Sequence, residues 1–302
     1  MSHSESVPST SSAHTGFDVL DAEHLDARLS AVREALRLCP TEVPASLSIP
    51  AHKALDAVAQ RLALGVDHTV VALFGGTGSG KSSLFNALTQ LNFADVGARR
   101  PTTSRAAACS WGDDAGPLLD FLGVSSERRI RRDSILDGED QGSMSGLVLL
   151  DVPDYDSVTT EHSLQVDRLV PLADILVWVV DPQKYADAAL HDGYLRGLGA
   201  RQEDMLVLVN QVDTLPESGL ASLLDDVGSL LKDDGLSQVQ VLPVSAVRGD
   251  NLDVVRSMLR QRVARESNAA RTASAELDAI TRRLRPTVAR DKVELDAELT
   301  EE

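Results

Sequence analysis

Cysteine is almost absent, with only Cys39 and Cys109 in 302 residues. Two such thiols build no disulfide framework and lack metal-ligand spacing, which fits a reducing compartment and two packed side chains. Long apolar runs are missing as well. The longest, Ile175–Val180 and Met205–Asn210, are strand-sized, far short of the roughly 18 residues that cross a bilayer. No basic stretch followed by an apolar one opens the chain, so no secretory signal is read there. Residues 1–16, rich in Ser, Thr and His, are expected to be a disordered lead-in, and the protein is expected in the cytoplasm. Positive charge is scarce, 29 Lys and Arg against 46 Asp and Glu, for a formal net charge of −17. A field of that sign makes nucleic acid or an anionic membrane surface an unlikely main ligand. The one concentrated basic stretch, Glu127–Asp133, holds four arginines without interleaved aromatics and reads as a solvated strand or loop.

What is present suffices for one sizeable core and a small appendage, since 43% of residues are hydrophobic and 25% charged. Leu25, Leu29, Val32 and Leu36 recur at helical spacing over about 21–38, and Pro40 stops that pattern. A second helix is expected after Pro50, with Leu55, Val58 and Leu62 on one face. From Thr69 onward, short apolar runs alternate with helical stretches, giving expected strands at 69–74, 106–111, 147–150, 175–180, 206–210 and 239–244. Strands that are apolar along their length and alternate with helices indicate an α/β fold, a mostly parallel doubly wound sheet covered on both faces. Beyond about 265, Leu277, Ile280 and Leu284 form one narrow stripe, Pro286 is expected to break it, and the end is acidic. The resulting division is a lead-in at 1–16, N-terminal helices at 17–66, a main domain at 67–265 and an acidic helical segment at 266–302.

The chemistry concentrates after the first strand, where Gly75-Gly76-Thr77-Gly78-Ser79-Gly80-Lys81-Ser82-Ser83 satisfies the phosphate-binding loop pattern of Gly, four residues, then Gly-Lys-Ser. Its glycines let successive backbone N–H groups curl toward phosphate, Lys81 bridges phosphates, and the Ser82 hydroxyl ligates Mg2+. At the far edge of a later strand, Asn210-Gln211-Val212-Asp213 has the spacing of a guanine reader. The Asp213 carboxylate can accept from N1–H and the exocyclic amine of guanine, a donor pair that adenine lacks. Gln211 stands where Lys is usual, and its aliphatic stem can still cover the base. Ser245-Ala246 supplies the backbone N–H expected at the guanine carbonyl, followed by Val247 in place of a second Lys.

Residues from about 69 to 262 resemble the Era-like and dynamin-like branch of translation-factor-related P-loop GTPases, on "GGTGSGKSSLFNALT", "RRPTTS", "DVPDYDS", "VDPQKYAD" and "NQVD". That resemblance implies a G domain binding GTP and GDP with Mg2+, held by Ser82, Thr103 and Asp151. Thr103, favoured over Thr102, would also meet the γ-phosphate. Arg100, three residues earlier, falls where some G proteins carry an arginine finger in cis. Asp154 replaces the glycine whose backbone N–H meets the γ-phosphate; it retains that N–H but brings a carboxylate near a tetraanion, which disfavours GTP relative to GDP unless the side chain points away. Tyr155 falls where the water-orienting Gln of Ras-like enzymes stands. Slow hydrolysis, stimulated by a partner or by a homodimer through G domains, is therefore expected.

The loop after Val180 is read as a helix start with Asp181 as cap and Pro182 first, or as a contact for a second G domain. His162 and His191 are read as surface residues, and Trp111 and Trp178 as packed in the sheet. Some relatives carry membrane-spanning helices after the G domain, so a peripheral membrane or membrane-protein partner, and membrane association in a longer form, enter as expectations. A nucleotide-sensing module with negligible turnover and an ATP-using P-loop enzyme are the alternatives.

Overall fold

The computed structural model describes residues 16–64, 68–92, 94, 105–132, 144–156, 160–263 and 268–288. They divide into two compact units, one comprising 1–55 with 277–302, the other 56–276.

The larger unit is an α/β fold around a seven-stranded sheet. In chain order its strands are β1 (Thr69–Phe74), β2 (Ala107–Trp111), β3 (Arg129–Arg132), β4 (Leu147–Asp151), β5 (Ile175–Val180), β6 (Met205–Val209) and β7 (Gln240–Pro243). Their order across the sheet is β3-β2-β4-β1-β5-β6-β7. Strands β4, β1, β5, β6 and β7 run parallel, whereas β2 pairs antiparallel with β4 and carries β3 parallel at the edge. The central strands are buried along their whole length, which is why they read as unbroken apolar runs.

Alternation sorts their side chains onto two cores. Val70, Ala72, Phe74, Leu176 and Trp178 face one layer with Leu122, Val166, Leu169, Val227 and Leu231. Val71, Leu73, Val177 and Val179 face the other with Leu84, Phe85, Leu88, Val255 and Leu259. The covering helices include α3 (Lys81–Thr89), α4 (Gly116–Leu122), α5 (Thr160–Leu169), α6 (Ala188–Gly193), α7 (Glu217–Asp233) and α8 (Leu252–Val263). Both tryptophans are buried, and Trp178 stacks against Phe74 with ring centroids 5.0 Å apart.

At the opposite edge of the sheet from the strand ends that matter for chemistry, Arg61 is fully enclosed and donates to Asp174 Oδ2 at 2.6 Å and to the His68 carbonyl at 2.8 Å. The same carboxylate oxygen accepts from Val70 N–H at 2.7 Å, so one buried ion pair ties residue 61 to the beginnings of β1 and β5.

The smaller unit takes in α1 (Gly16–Leu38), the first half of α2 (Ala45–Leu64) and the end of α9 (Asn268–Val288). Leu25, Leu29, Leu36, Leu55, Leu277, Ile280 and Leu284 are buried, and Arg28 pairs with Asp278 at 2.6 Å.

Several expectations need correction. Helix α2 begins at Ala45, not after Pro50, because a proline early in a helix forfeits one backbone bond without ending it. Helix α9 runs through Pro286, two residues before its end, where one backbone bond is forfeited and only the last turn remains to be built. Gly16, expected in the lead-in, already belongs to α1; residues 1–15 lie outside the described residues. The arginine-rich stretch forms a strand, β3, as one of the two expected forms, but its side chains are engaged and not simply solvated: Arg129 donates to the Val124 carbonyl and to Asp120, Arg131 to Gly112 O at 3.0 Å, and Arg132 to Thr89 O.

His162 and His191 are buried, not superficial. His191 bridges Asp234 and the Tyr185 carbonyl, partners that only the tertiary fold brings near. Asp181 caps a turn, accepting from Gln183 and Lys184 N–H at 2.8 and 3.1 Å, while Asp187 is the cap of α6.

Candidate functional site

Because five strands run parallel, their carboxyl ends open on one edge, and the candidate residues are gathered there. Strand β1 delivers the loop 75–80 into α3, β4 delivers Asp151, β6 delivers Asn210 and Asp213, and β7 leads to Ser245 and Ala246.

Glycine is needed in the loop for two reasons. A Cβ on Gly75 would lie 2.3 Å from the Val179 carbonyl oxygen, so nothing larger fits beneath the loop. Gly80 has φ +87° and caps α3 without a side chain, so the first-turn N–H groups receive no side-chain cap.

Lys81 folds back over this loop. Its ammonium donates to Gly75 O at 2.9 Å and to Gly76 O at 3.3 Å, and it pairs with the Asp154 carboxylate; both side chains are almost wholly buried. The substitution of glycine by aspartate thus aims a carboxylate directly at the loop lysine. Beside it the Ser82 hydroxyl donates to Asp151 Oδ2 at 2.7 Å. Asp151 is fully buried and its Oδ1 has no partner. Burial pushes its carboxyl up to about 6, against the opposing pull of the Lys81 charge and the Ser82 hydrogen bond. A hydroxyl and an unsatisfied buried carboxylate side by side form a hard oxygen donor set that fits Mg2+.

Asn210 is buried and reaches in two directions. Its amide donates to Ser79 O at 2.9 Å, and its Oδ1 accepts from Ala246 N–H at 3.2 Å. Gln211, in the left-handed region with φ 63°, donates to Gly78 O at 2.6 Å. Asp213 accepts from the Ser245 hydroxyl at 2.6 Å, which in turn accepts from Arg248 N–H at 3.0 Å. A cleft of about 540 Å³ opens between Ser83 and Ala246, lined also by Asn86 and Gln90.

Two features escaped the sequence reading. Asp156 Oδ1 accepts from both the N–H and the hydroxyl of Thr77, at 2.7 and 2.9 Å. Its only sequence signal was the acidic spacing in "DVPDYDS". Tyr155 is turned inward: its hydroxyl donates to Asp187 Oδ2 at 3.3 Å and its ring packs 5.7 Å from that of Tyr194. Burial and the neighbouring Asp187 raise its hydroxyl pKa further. Lys184, in the loop after β5, donates to Thr77 O at 2.9 Å. Arg100, Thr102 and Thr103 lie outside the described residues.

Residues 70–211 match the family model described as 50S ribosome-binding GTPase. No curated protein matches the chain in sequence. Among solved structures, a bacterial dynamin from an oligomerised pair reported to sense and tether membranes shares 14% identity over 91% of this chain and 57% of its own, with a TM-score of 0.47. Era in complex with MgGDPNP and a segment of 16S ribosomal RNA shares 18% over 64% of this chain and 57% of its own, at 0.45. A variant of Aquifex aeolicus Era bound to GDP·AlF4− shares 19% over 63% and 55%, at 0.44. The chain thus spans little more than half the length of these neighbours. Over residues 70–211, which hold the phosphate-binding loop, the chain is thus similar to the 50S ribosome-binding GTPase family and has the fold of a P-loop GTPase domain.

Proposed function

We propose that the protein binds GTP with Mg2+ and hydrolyses it to GDP and phosphate, slowly by itself, as a conformational switch. The observation that carries this reading is the convergence at one sheet edge of a phosphate loop, the Ser82–Asp151 pair and the Asn210–Asp213 segment. Lys81 would neutralise phosphate charge, and the first-turn amides of α3 would bind phosphate oxygens. Asp213 would accept from guanine, with the Ser245 hydroxyl holding its carboxylate in place. Ser82 and Asp151 would hold the metal, Asp151 through water; the bound ion would neutralise charge developing on the β- and γ-phosphate oxygens. Thr103 and Arg100 would complete the first switch.

Slow turnover follows from position 155, where a tyrosine hydroxyl tied to Asp187 cannot orient water as a carboxamide does. Stimulation would then come from a partner or from a second G domain, with the flanking helical segments at 17–66 and 266–302 receiving the change around a functional domain of 67–265. A cytoplasmic protein with a peripheral membrane partner is in keeping with the bacterial dynamin named above. The negative net charge argues against nucleic acid, although Era was solved with RNA. No described helix is long and apolar enough to cross a membrane. A sensor without turnover is the second reading, favoured by the inward Tyr155.

Single-turnover GTP hydrolysis with Mg2+, over a range of protein concentration and beside Lys81→Ala, decides between them. Turnover that rises with concentration and disappears in the variant is expected. Guanine-nucleotide binding with no turnover at any concentration selects the sensor.

A further inference from the structure

An ammonium has three N–H bonds, and Lys81 has three acceptors: the carbonyls of Gly75 and Gly76 and the carboxylate of Asp154. One of the loop's own phosphate donors, the Thr77 amide, is likewise taken by Asp156. Both carboxylates come from the short turn that follows Asp151. That turn is fixed by Tyr155, whose N–H donates to Gly75 O at 3.4 Å and whose side chain is held by Asp187 and Tyr194. Gly76 lies beneath it, where a Cβ would meet Asp156 Oδ2 at 3.0 Å and the Tyr155 hydroxyl at 3.2 Å. Three contacts, Lys81 with Asp154, Thr77 with Asp156 and the Tyr155 N–H with Gly75 O, therefore hold an acidic turn against the phosphate loop.

We propose that Asp154 and Asp156 form an internal clasp that occupies phosphate-binding donors, so that the site prefers GDP and admits GTP only when the clasp is displaced. This rests on the reading of the site as one for guanine nucleotides. GDP asks Lys81 for a β-phosphate contact, which the Gly76 carbonyl, the longest of the three at 3.3 Å, can yield while Asp154 stays. GTP asks Lys81 to bridge two phosphates and brings the γ-phosphate charge against a buried carboxylate. Like charges in a poorly solvated site repel strongly, so Asp154 must leave. Exchange of GDP for GTP would then move residues 152–156, and loss of γ-phosphate would let them return. Asp154 is in this sense the residue that sets nucleotide preference, a task that a glycine at its position could not perform.

The test measures binding of GDP and of the non-hydrolysable analogue GMPPNP to the full chain with Mg2+, in the wild type, Asp154→Asn and Asp156→Asn, with ATP as competitor. Wild type should favour GDP by about tenfold or more. Asp154→Asn should shrink that ratio by about tenfold, with the larger gain in affinity for the analogue. Asp156→Asn should act in the same direction, and it carries the test should Asp154→Asn fail to fold. An unchanged ratio in the folded variants, with guanine nucleotides still bound and ATP excluded, overturns the clasp and leaves the GTPase reading standing. A wild-type chain that binds neither guanine nucleotide, or that prefers ATP, overturns both.

Discussion

Asp151 should make the nucleotide-free protein less stable as pH rises. Its carboxyl is fully buried with one oxygen unsatisfied, and its pKa stands near 6 against an ordinary 3.8. That rise amounts to about 3 kcal/mol, at about 1.4 kcal/mol for each tenfold change in proton affinity. The sign follows from the folded state binding the proton more tightly than the unfolded one. The contribution is fully present below the unfolded value of 3.8 and is lost as pH passes the folded value of about 6. Roughly half of it, on the order of 1–2 kcal/mol, disappears between pH 5 and 7.5. Asp151→Asn is neutral throughout that range and keeps an acceptor for Ser82. Urea unfolding in chelator, without nucleotide, should therefore show the variant gaining roughly 1–2 kcal/mol on the wild type between those two pH values. With Mg2+ and GDP the proposed metal role predicts that the advantage reverses, because a neutral amide is a far weaker ligand for Mg2+ than a carboxylate. A difference in stability that is flat with pH would refute the assignment of Asp151 as a desolvated carboxylate awaiting a cation.

Asp174→Ala should cost about 3–5 kcal/mol in urea unfolding, since it strands the buried Arg61 charge and the Val70 N–H; a loss under 1 kcal/mol would mean that water reaches the pair. Asp213→Ala should weaken guanine-nucleotide binding by about 2–3 kcal/mol in titration calorimetry while sparing inorganic triphosphate, and equal losses for both would remove Asp213 from base reading.

The doubly wound sheet was legible because each central strand is buried on both faces and so had to be apolar along its length. The loop from Gly75 to Ser82 was legible because its backbone path demands glycine at fixed offsets, as the close approach of Val179 O to Gly75 illustrates. Edge strand β3 was harder to see: its pattern is half-exposed, and its arginines find carbonyl partners on residues distant in sequence. His191 misled for a related reason, since Asp234 lies far along the chain and nothing local announces that partner. The prolines misled in the opposite sense. A missing N–H at position 50 or 286 sacrifices one bond, and neighbouring turns carry the helix past it. Where Asp154 points depends on the approach of β4 to the loop, a tertiary fact that spacing alone does not contain.

The two-way grip of Asn210 has a consequence for fidelity. One amide group bonds both a phosphate-loop carbonyl, at Ser79, and the backbone N–H of Ala246 in the base-side segment. Gln211 adds a second strut to the same loop at Gly78. On the proposed reading the two halves of the site would be coupled: a base that settles this segment would also firm the cradle for its phosphates, and by reciprocity a phosphate group would sharpen the choice of base. A purine that left Asn210 unsettled would then be penalised twice, once at the ring and once at the far end of the nucleotide.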